Sequence, residues 1–506
     1  MNEPFPHNFV HVKDLYRSLE SSIDALKSDN QRVRKARKIV EHALSKGTPH
    51  YGINTGFGAL ATKRVSESQL AQLQRNLVLS HAVGVGNSVP KDISKLILQL
   101  KVHSLGLGYS GVSPETFNRL ILFLQEDLIP VIPEKGSVGA SGDLAPLAHM
   151  SLPIIGYGEF WNKEGTEKLD ASEELQKRSL SPIDLQPKDG LSLINGTQLM
   201  CAYGAWVLEK SLHLLKVADI TAAMSLEALQ GSITPFDARI HQIRPHEGQR
   251  ITAENIRFLL DGSEILESHR NCGKVQDPYC LRCIPQVHGA SRDAISHSIQ
   301  TIETEINSVT DNPLVFENGD ILSGGNFHGQ PLALAMDYAK IALAELASIS
   351  ERRTYLLLGG HDGLPKLLME ETGINSGFMI PQYTSAALVS ENKVLCHPSS
   401  VDSIPTSLGQ EDHVSMGSIS ALNLLKVFEN VETVLGIECF TAAQALDFRS
   451  PLKPGQGVDI AHRQIRKEIK HASEDHYFKE DLETIMDVIR RKEFVNGLDG
   501  TEYQLQ

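Results

Sequence analysis

From Ser415 to Asp447 apolar residues recur at helical spacing, through Ile419, Leu422, Leu425, Phe428, Val431, Leu435, Cys439, Ala442 and Leu446, with no proline among them. A helix of roughly 33 residues is about 50 Å long, several times the average in a globular protein. Other segments match it. Ile295, Ile299, Ile302 and Ile306 share one helical face, and the stretch from Pro331 to about Leu358 is rich in alanine and leucine, which form helices well and pack closely. Together they predict a mainly α fold, a bundle of long helices. Residues 1–110 form a smaller N-terminal α+β region carrying the loop headed by Tyr51, and residues 111–506 form the bundle with its C-terminal helices.

Strand signals are few and short: "LIPVIPE" (128 to 134) and "PLVFENGDIL" (313 to 322), the latter with an Asn318-Gly319 hairpin turn. The segment from 161 to 190 is polar and broken by Gly and Pro, so it reads as a surface excursion. After Pro454, charged residues alternate with apolar ones at helical spacing, predicting amphipathic helices that close the bundle.

Lysine and arginine total 48 against 62 acidic residues, a net charge of -14 that argues against a nucleic acid or an anionic membrane as partner. A small molecule fits better. The first twenty residues lack a secretory pattern and no eighteen apolar residues run together, so a cytoplasmic protein is expected. Six cysteines are too sparse for a disulfide scaffold, and the single CxxC of Cys280 and Cys283 has no second pair to complete a zinc site, so no metal is expected.

The stretch "GSVGASGDLAPLAH" (136 to 149) places three glycines ahead of Asp143 and an apolar run. Its simplest reading is a turn entering a helix, with Asp143 near the first turn where a carboxylate suits the dipole. Ala140, Ser141 and Gly142 add a chemical reading. Glycine lacks the Cβ that would obstruct a strained backbone, so its amide nitrogen can attack the alanine carbonyl carbon. Loss of two waters, one from the serine side chain, then leaves a 4-methylidene-imidazol-5-one, an electrophile that no standard side chain can supply. The tripeptide alone decides little, because average residue usage produces it in roughly one chain in five of this length.

Further stretches decide more: "YGINTGFG" (51 to 58), "NLVLSHAVGVG" (76 to 86), "INGTQ" (194 to 198), "KVQDPYCLRC" (274 to 283), "TDNPL" (310 to 314), "SGGNFHGQP" (323 to 331) and "SENKVLCHPSSVDSIPTSLGQEDHVSMG" (390 to 417). With the 136–149 loop, they resemble the aromatic amino acid ammonia-lyases in the family's order. The resemblance implies a mostly helical homotetramer with active sites built from several subunits. It also implies that the cyclised Ala140-Ser141-Gly142 loop is the catalytic electrophile, with no external cofactor.

Eliminating ammonia from an α-amino acid requires a better leaving group and removal of a weakly acidic β-proton. The resemblance gives the first task to the methylidene group and the second to Tyr51, whose ring would otherwise read as ordinary packing. Arg282 matches the residue that grips the substrate carboxylate, a task suited to a planar guanidinium. Asn195, Gln276 and Tyr279 match positions that hold the electrophile and substrate by hydrogen bonds, Tyr279 being counted with the catalytic groups. Phe327 matches a ring beside the electrophile.

The pocket for the substrate ring separates the family's members. Glu411 stands where histidine-specific members carry an acidic residue, and His81 suits a polar imidazole partner. A phenylalanine ring would leave Glu411 buried without a partner. L-Histidine is therefore the expected substrate, giving trans-urocanate and ammonia, the opening step of histidine breakdown; tyrosine or phenylalanine elimination, or an aminomutase reaction, stays open. Met379 is a further pocket candidate. Gly329 and Gln330, where Ala-Glu is frequent, and Pro381 with Tyr383 depart from the commonest histidine-specific pattern.

Overall fold

The computed structural model describes residues 9–47, 50–56, 65–270, 272–498 and 504–506. The expected long helices are present: Gly417–Asp447, Ile284–Ile306 and Gln330–Leu357. A fourth, Gln198–Ala228, spans 31 residues and was not anticipated. Its apolar residues surround it on every side, with Leu199, Ala202, Leu208, Val217, Ile220 and Leu226 all buried, so no single stripe marks it. The tail carries the expected helices, Gln456–Glu468 and Phe478–Arg490. Among the described residues no helix is long and apolar enough to cross a membrane.

Among the described residues, sheet structure is confined to two-stranded antiparallel pairs. Val85–Ser88 pairs with Pro133–Lys135, and Leu314–Val315 with Ile321–Leu322, joined through Gly319 at φ +93° as a hairpin turn requires. The 128–134 stretch is only partly a strand: Pro130 makes a lone bridge to Phe160, and regular pairing starts at Pro133.

The segment from 161 to 190 is more ordered than a surface excursion. It holds the Lys168–Asp170 strand, paired with Glu159–Trp161, and the Ala171–Lys177 helix, whose first turn is capped when the Glu173 N–H donates to Asp170 Oδ1 at 3.0 Å. At its end Lys188 and Asp189 are fully buried. Asp189 accepts from the Ser113 N–H and hydroxyl, the Thr116 hydroxyl and the Gln186 N–H, so a residue that reads as surface charge organises an interior turn.

Two compact units result, each collecting three chain segments. The first holds Met1–Val207, Ile299–Asp337 and Pro398–Leu422; the second holds Leu208–Ser298, Tyr338–His397 and Asn423–Gln506. Within the second unit, Val217, Ile256, Leu357, Phe440 and Ile485 belong to one large apolar core. Within the first, Ala140, Val414 and Met416 form a small cluster against the glycine-rich turn.

Candidate active site

The turn at 136–142 is shaped by glycines in the left-handed region and held by side chains on either side. Gly142 sits at φ +76°, and a Cβ there would lie 2.0 Å from the Gly196 carbonyl oxygen. Only glycine fits. The Ser137 hydroxyl accepts from the Gly139 N–H at 3.0 Å and donates to the Gly142 carbonyl at 3.2 Å, and the Ser418 hydroxyl donates to the Ser137 carbonyl at 2.6 Å. Gly142 bridges to Gly196: the Asp143 N–H donates to the Gly196 carbonyl at 2.7 Å, and the Gly196 N–H donates to the Ser141 carbonyl at 3.4 Å.

Asp143 does stand at the start of a helix, Leu144–Ser151, but its side chain does not cap that helix. Oδ2 instead accepts from the Leu199 and Met200 N–H groups at 2.9 and 3.1 Å, in the first turn of Gln198–Ala228. Complete burial pushes its carboxyl up to about 7, while those two bonds and the charge of Lys101 pull the other way.

A cavity of about 1050 Å³ opens in the first unit, and its wall carries Tyr51, His81, Ala140, Ser141, Asn195, Phe327 and Glu411. Seven sequence candidates from distant positions thus meet in one place, with Gly142 behind the wall. The Tyr51 loop is described through Gly56; its end, Phe57 and Gly58, lies outside the described residues. His81 ends the helix Leu70–His81, and its Nδ1 lies 2.8 Å from the Leu77 carbonyl, which leaves Nε2 for another partner. Burial lowers its pKa, opposed by the Leu77 bond and the Glu411 charge. Glu411 Oε1 lies 3.4 Å from the Ser141 hydroxyl, and Oε2 accepts from the Thr406 hydroxyl at 2.8 Å. Asn195 Nδ2 donates to Asp311 Oδ1 and to the Asn312 carbonyl, whereas its buried Oδ1 has no protein partner.

The remaining candidates lie in the second unit and do not line this cavity. Tyr279 and Arg282 share the four-residue helix Tyr279–Arg282, with the guanidinium carbon 4.5 Å from the ring centre, and Tyr279 is 69% exposed. Gln276 lines a cavity of about 950 Å³ of that unit. Met379 starts the helix Met379–Leu395, also in the second unit. Cys280 and Cys283 are free thiols, and among the described residues no group of three or more His, Cys, Asp or Glu is placed to hold a metal.

Some lining residues were not singled out from sequence. His328 and His413 stack 5.8 Å apart on the cavity wall, with His328 Nε2 3.1 Å from the His413 carbonyl. Their signal was visible, since both sit inside quoted motifs. Gly329 also acquires a reason: a Cβ there would fall 2.5 Å from Met200 Cε, so Met200 occupies the space an alanine would need.

A protein of Anaeromyxobacter sp. (strain K) named histidine ammonia-lyase is 51% identical over 468 residues, covering 91% of this chain and 92% of its own. The crystal structure of a histidine ammonia-lyase from Trypanosoma cruzi superposes with a TM-score of 0.85 at 36% identity, covering 96% of this chain and 97% of that one. A tyrosine aminomutase from Streptomyces globisporus gives 0.89 at 36%, covering 96% and 98%. The family model described as aromatic amino acid lyase matches residues 9–467. With the match running through nearly all of the sequence and every element of the cavity inside it, the chain belongs to the aromatic amino acid lyase family.

Proposed function

We propose that this chain eliminates ammonia from L-histidine to give trans-urocanate, using an electrophile made from its own Ala140, Ser141 and Gly142. The observation that carries this reading is Glu411: one wall of the cavity holds its carboxylate 3.4 Å from the Ser141 hydroxyl. An acidic group beside the reacting turn suits an imidazole N–H, and relatives about half identical to this chain are named histidine ammonia-lyase.

The residues present fit a self-made 4-methylidene-imidazol-5-one. Gly142 is the only residue type its position admits, and the turn is already bent and clamped on both sides. When formed, that group supplies an electron-poor carbon that activates the substrate for loss of ammonia. Around it, Tyr51 takes the β-proton, and Phe327 gives the substrate ring an apolar neighbour. His81, with its charged form disfavoured by burial, offers a neutral imidazole through Nε2. Asn195 presents its unpartnered Oδ1 and is fixed through Nδ2.

Arg282 binds the substrate carboxylate, with Tyr279 and Gln276 beside it, from another subunit of a homotetramer. An exposed Tyr279 carrying the Arg282 guanidinium against its ring supports that arrangement. A cytoplasmic setting is supported by six cysteines left as free thiols.

Turnover with histidine, tyrosine and phenylalanine, followed by product absorbance and by analysis for β-amino acids, tests the reading against a Ser141→Ala control. Urocanate from histidine alone, lost in the control, supports it. Coumarate, cinnamate or a β-amino acid as main product replaces it with the corresponding ammonia-lyase or aminomutase.

A further inference from the structure

Within the first unit, Asn195 is backed by three buried charged side chains, Lys101, Lys188 and Asp311. Lys101 Nζ donates to the Asn195 carbonyl at 2.6 Å and to the Ser192 carbonyl at 2.9 Å. Lys188 Nζ donates to Asp311 Oδ2 at 2.7 Å and to the Ser192 hydroxyl at 3.2 Å, and the other oxygen of Asp311 takes the Asn195 side-chain amide. A buried ammonium is costly, and an apolar side chain would suit helix packing better. Lys101 therefore calls for a reason beyond filling space.

Its contacts supply one. The carbonyl that Lys101 grips and the N–H of Gly196 belong to a single peptide unit, and that N–H donates to the Ser141 carbonyl. A cation on the oxygen of a peptide draws electron density across the C–N bond and strengthens its N–H as a donor. The next carbonyl, that of Gly196, accepts from the Asp143 N–H. The backbone on either side of Gly142 is thus tied to a peptide that a buried lysine holds.

We propose that Lys101 is a positioning residue for ring formation, acting through the Asn195–Gly196 peptide on the backbone of Ser141 to Asp143. This inference rests on the self-made electrophile proposed above. In the reaction the Gly142 nitrogen bonds to the Ala140 carbonyl carbon. The Ala140 oxygen leaves as water with the amide hydrogens of Gly142 and Ser141, and the Ser141 hydroxyl leaves as a second water with the Ser141 α-proton. No electrons are gained or lost overall. Removing the α-proton builds negative charge on the Ser141 carbonyl oxygen, and a donor polarised by a cation stabilises that charge as it develops.

Burial draws the Lys101 amine down to about 7, against the attraction of Asp311 and Asp143 and with the repulsion of Lys188. Its charge is therefore sensitive to pH in the neutral range.

The test is the mass of the proteolytic peptide carrying residues 136 to 149 from purified full-length protein. Wild type is expected to lack two waters, and Lys101→Met, folded by circular dichroism, to retain water in most molecules. Complete loss of both waters in folded Lys101→Met overturns the proposal. A second measurement follows water loss during cell-free synthesis across the neutral range in wild type and in Asp311→Asn, which keeps the lysine but removes its strongest attraction. The profile of Asp311→Asn is expected to shift to lower pH. Superimposable profiles overturn the proposal even where Lys101→Met fails to fold. A wild-type chain that keeps both waters refutes the self-made electrophile instead.

Discussion

Glu411 divides its carboxylate between two hydroxyls, with Oε1 3.4 Å from Ser141 and Oε2 2.8 Å from Thr406. The Thr406 N–H also donates to the Glu411 carbonyl at 2.9 Å, so both backbone and side chain of the acid are pinned by one threonine. A hydrogen bond to a charged group contributes about 1.5–3 kcal/mol, so Glu411→Ala should lower kcat/KM for histidine roughly 10- to 100-fold. Thr406→Val removes a positioning contact and should cost up to roughly tenfold. Steady-state kinetics decide the matter, and an unchanged kcat/KM in Glu411→Ala would remove this carboxylate from substrate recognition.

Gly142→Ala brings a methyl group 2.0 Å from the Gly196 carbonyl oxygen at a φ of +76°. Both the clash and the left-handed backbone oppose it, at a cost of about 1–3 kcal/mol for the backbone alone. The variant should melt several degrees lower by calorimetry and retain both waters by mass. A variant that melts like wild type and still loses two waters would show that the turn relaxes freely.

Tyr51 and Arg282 stand in different compact units, and only Tyr51 lines the cavity. Tyr51→Phe, losing a general base, should lower kcat about 10²- to 10⁴-fold. Arg282→Met should fall comparably through lost carboxylate binding. If one subunit supplies each residue to a shared site, co-refolding the two inactive variants in equal amounts should restore about a quarter of wild-type activity, the share of sites that random assembly leaves intact. Mixing that restores nothing would place both residues in the same subunit's site.

His103 is buried, with Nδ1 2.8 Å from the Ser22 hydroxyl, and burial draws its pKa from 6.5 down to about 4, opposed by a hydrogen bond with Asn307. The folded state therefore binds fewer protons than the unfolded state between those values. The associated stability is fully present above 6.5 and is lost as pH falls through about 4. Its full size is on the order of 3 kcal/mol. Denaturant unfolding of wild type and His103→Gln across this range should show wild type losing stability more steeply on acidification. Parallel curves would mean that His103 charges as readily in the folded chain as in the unfolded one.

Local signals were the most legible part of this protein. The Gly417–Asp447 helix begins within two residues of its expected start, because helical periodicity is a property of neighbouring residues. Even there the buried face differs at the beginning: Ile419 is 43% exposed, while Ala421 and Leu424 are fully buried. The Gln198–Ala228 helix leaves no periodic signal in the sequence because burial on all sides removes the amphipathic signature. The burial of Lys188, Asp189 and Lys101 leaves no mark in the sequence for a related reason. A charge in a sequence carries no mark of the partner, far along the chain, that lets it be buried.

The sequence by itself determined the Gly417–Asp447, Ile284–Ile306 and Gln330–Leu357 helices and a turn whose residues can condense with one another, since both depend on residues close together along the chain. Tertiary structure alone decided that Tyr51, His81, Ser141, Asn195, Phe327 and Glu411 share one cavity of the first unit, while Gln276, Tyr279 and Arg282 belong to the second. It also decided that Asp143 caps a helix other than its own, and that a buried lysine grips the peptide bonded to the reactive turn. Such meetings depend on how distant segments pack, and packing is a property of the whole chain rather than of any stretch within it.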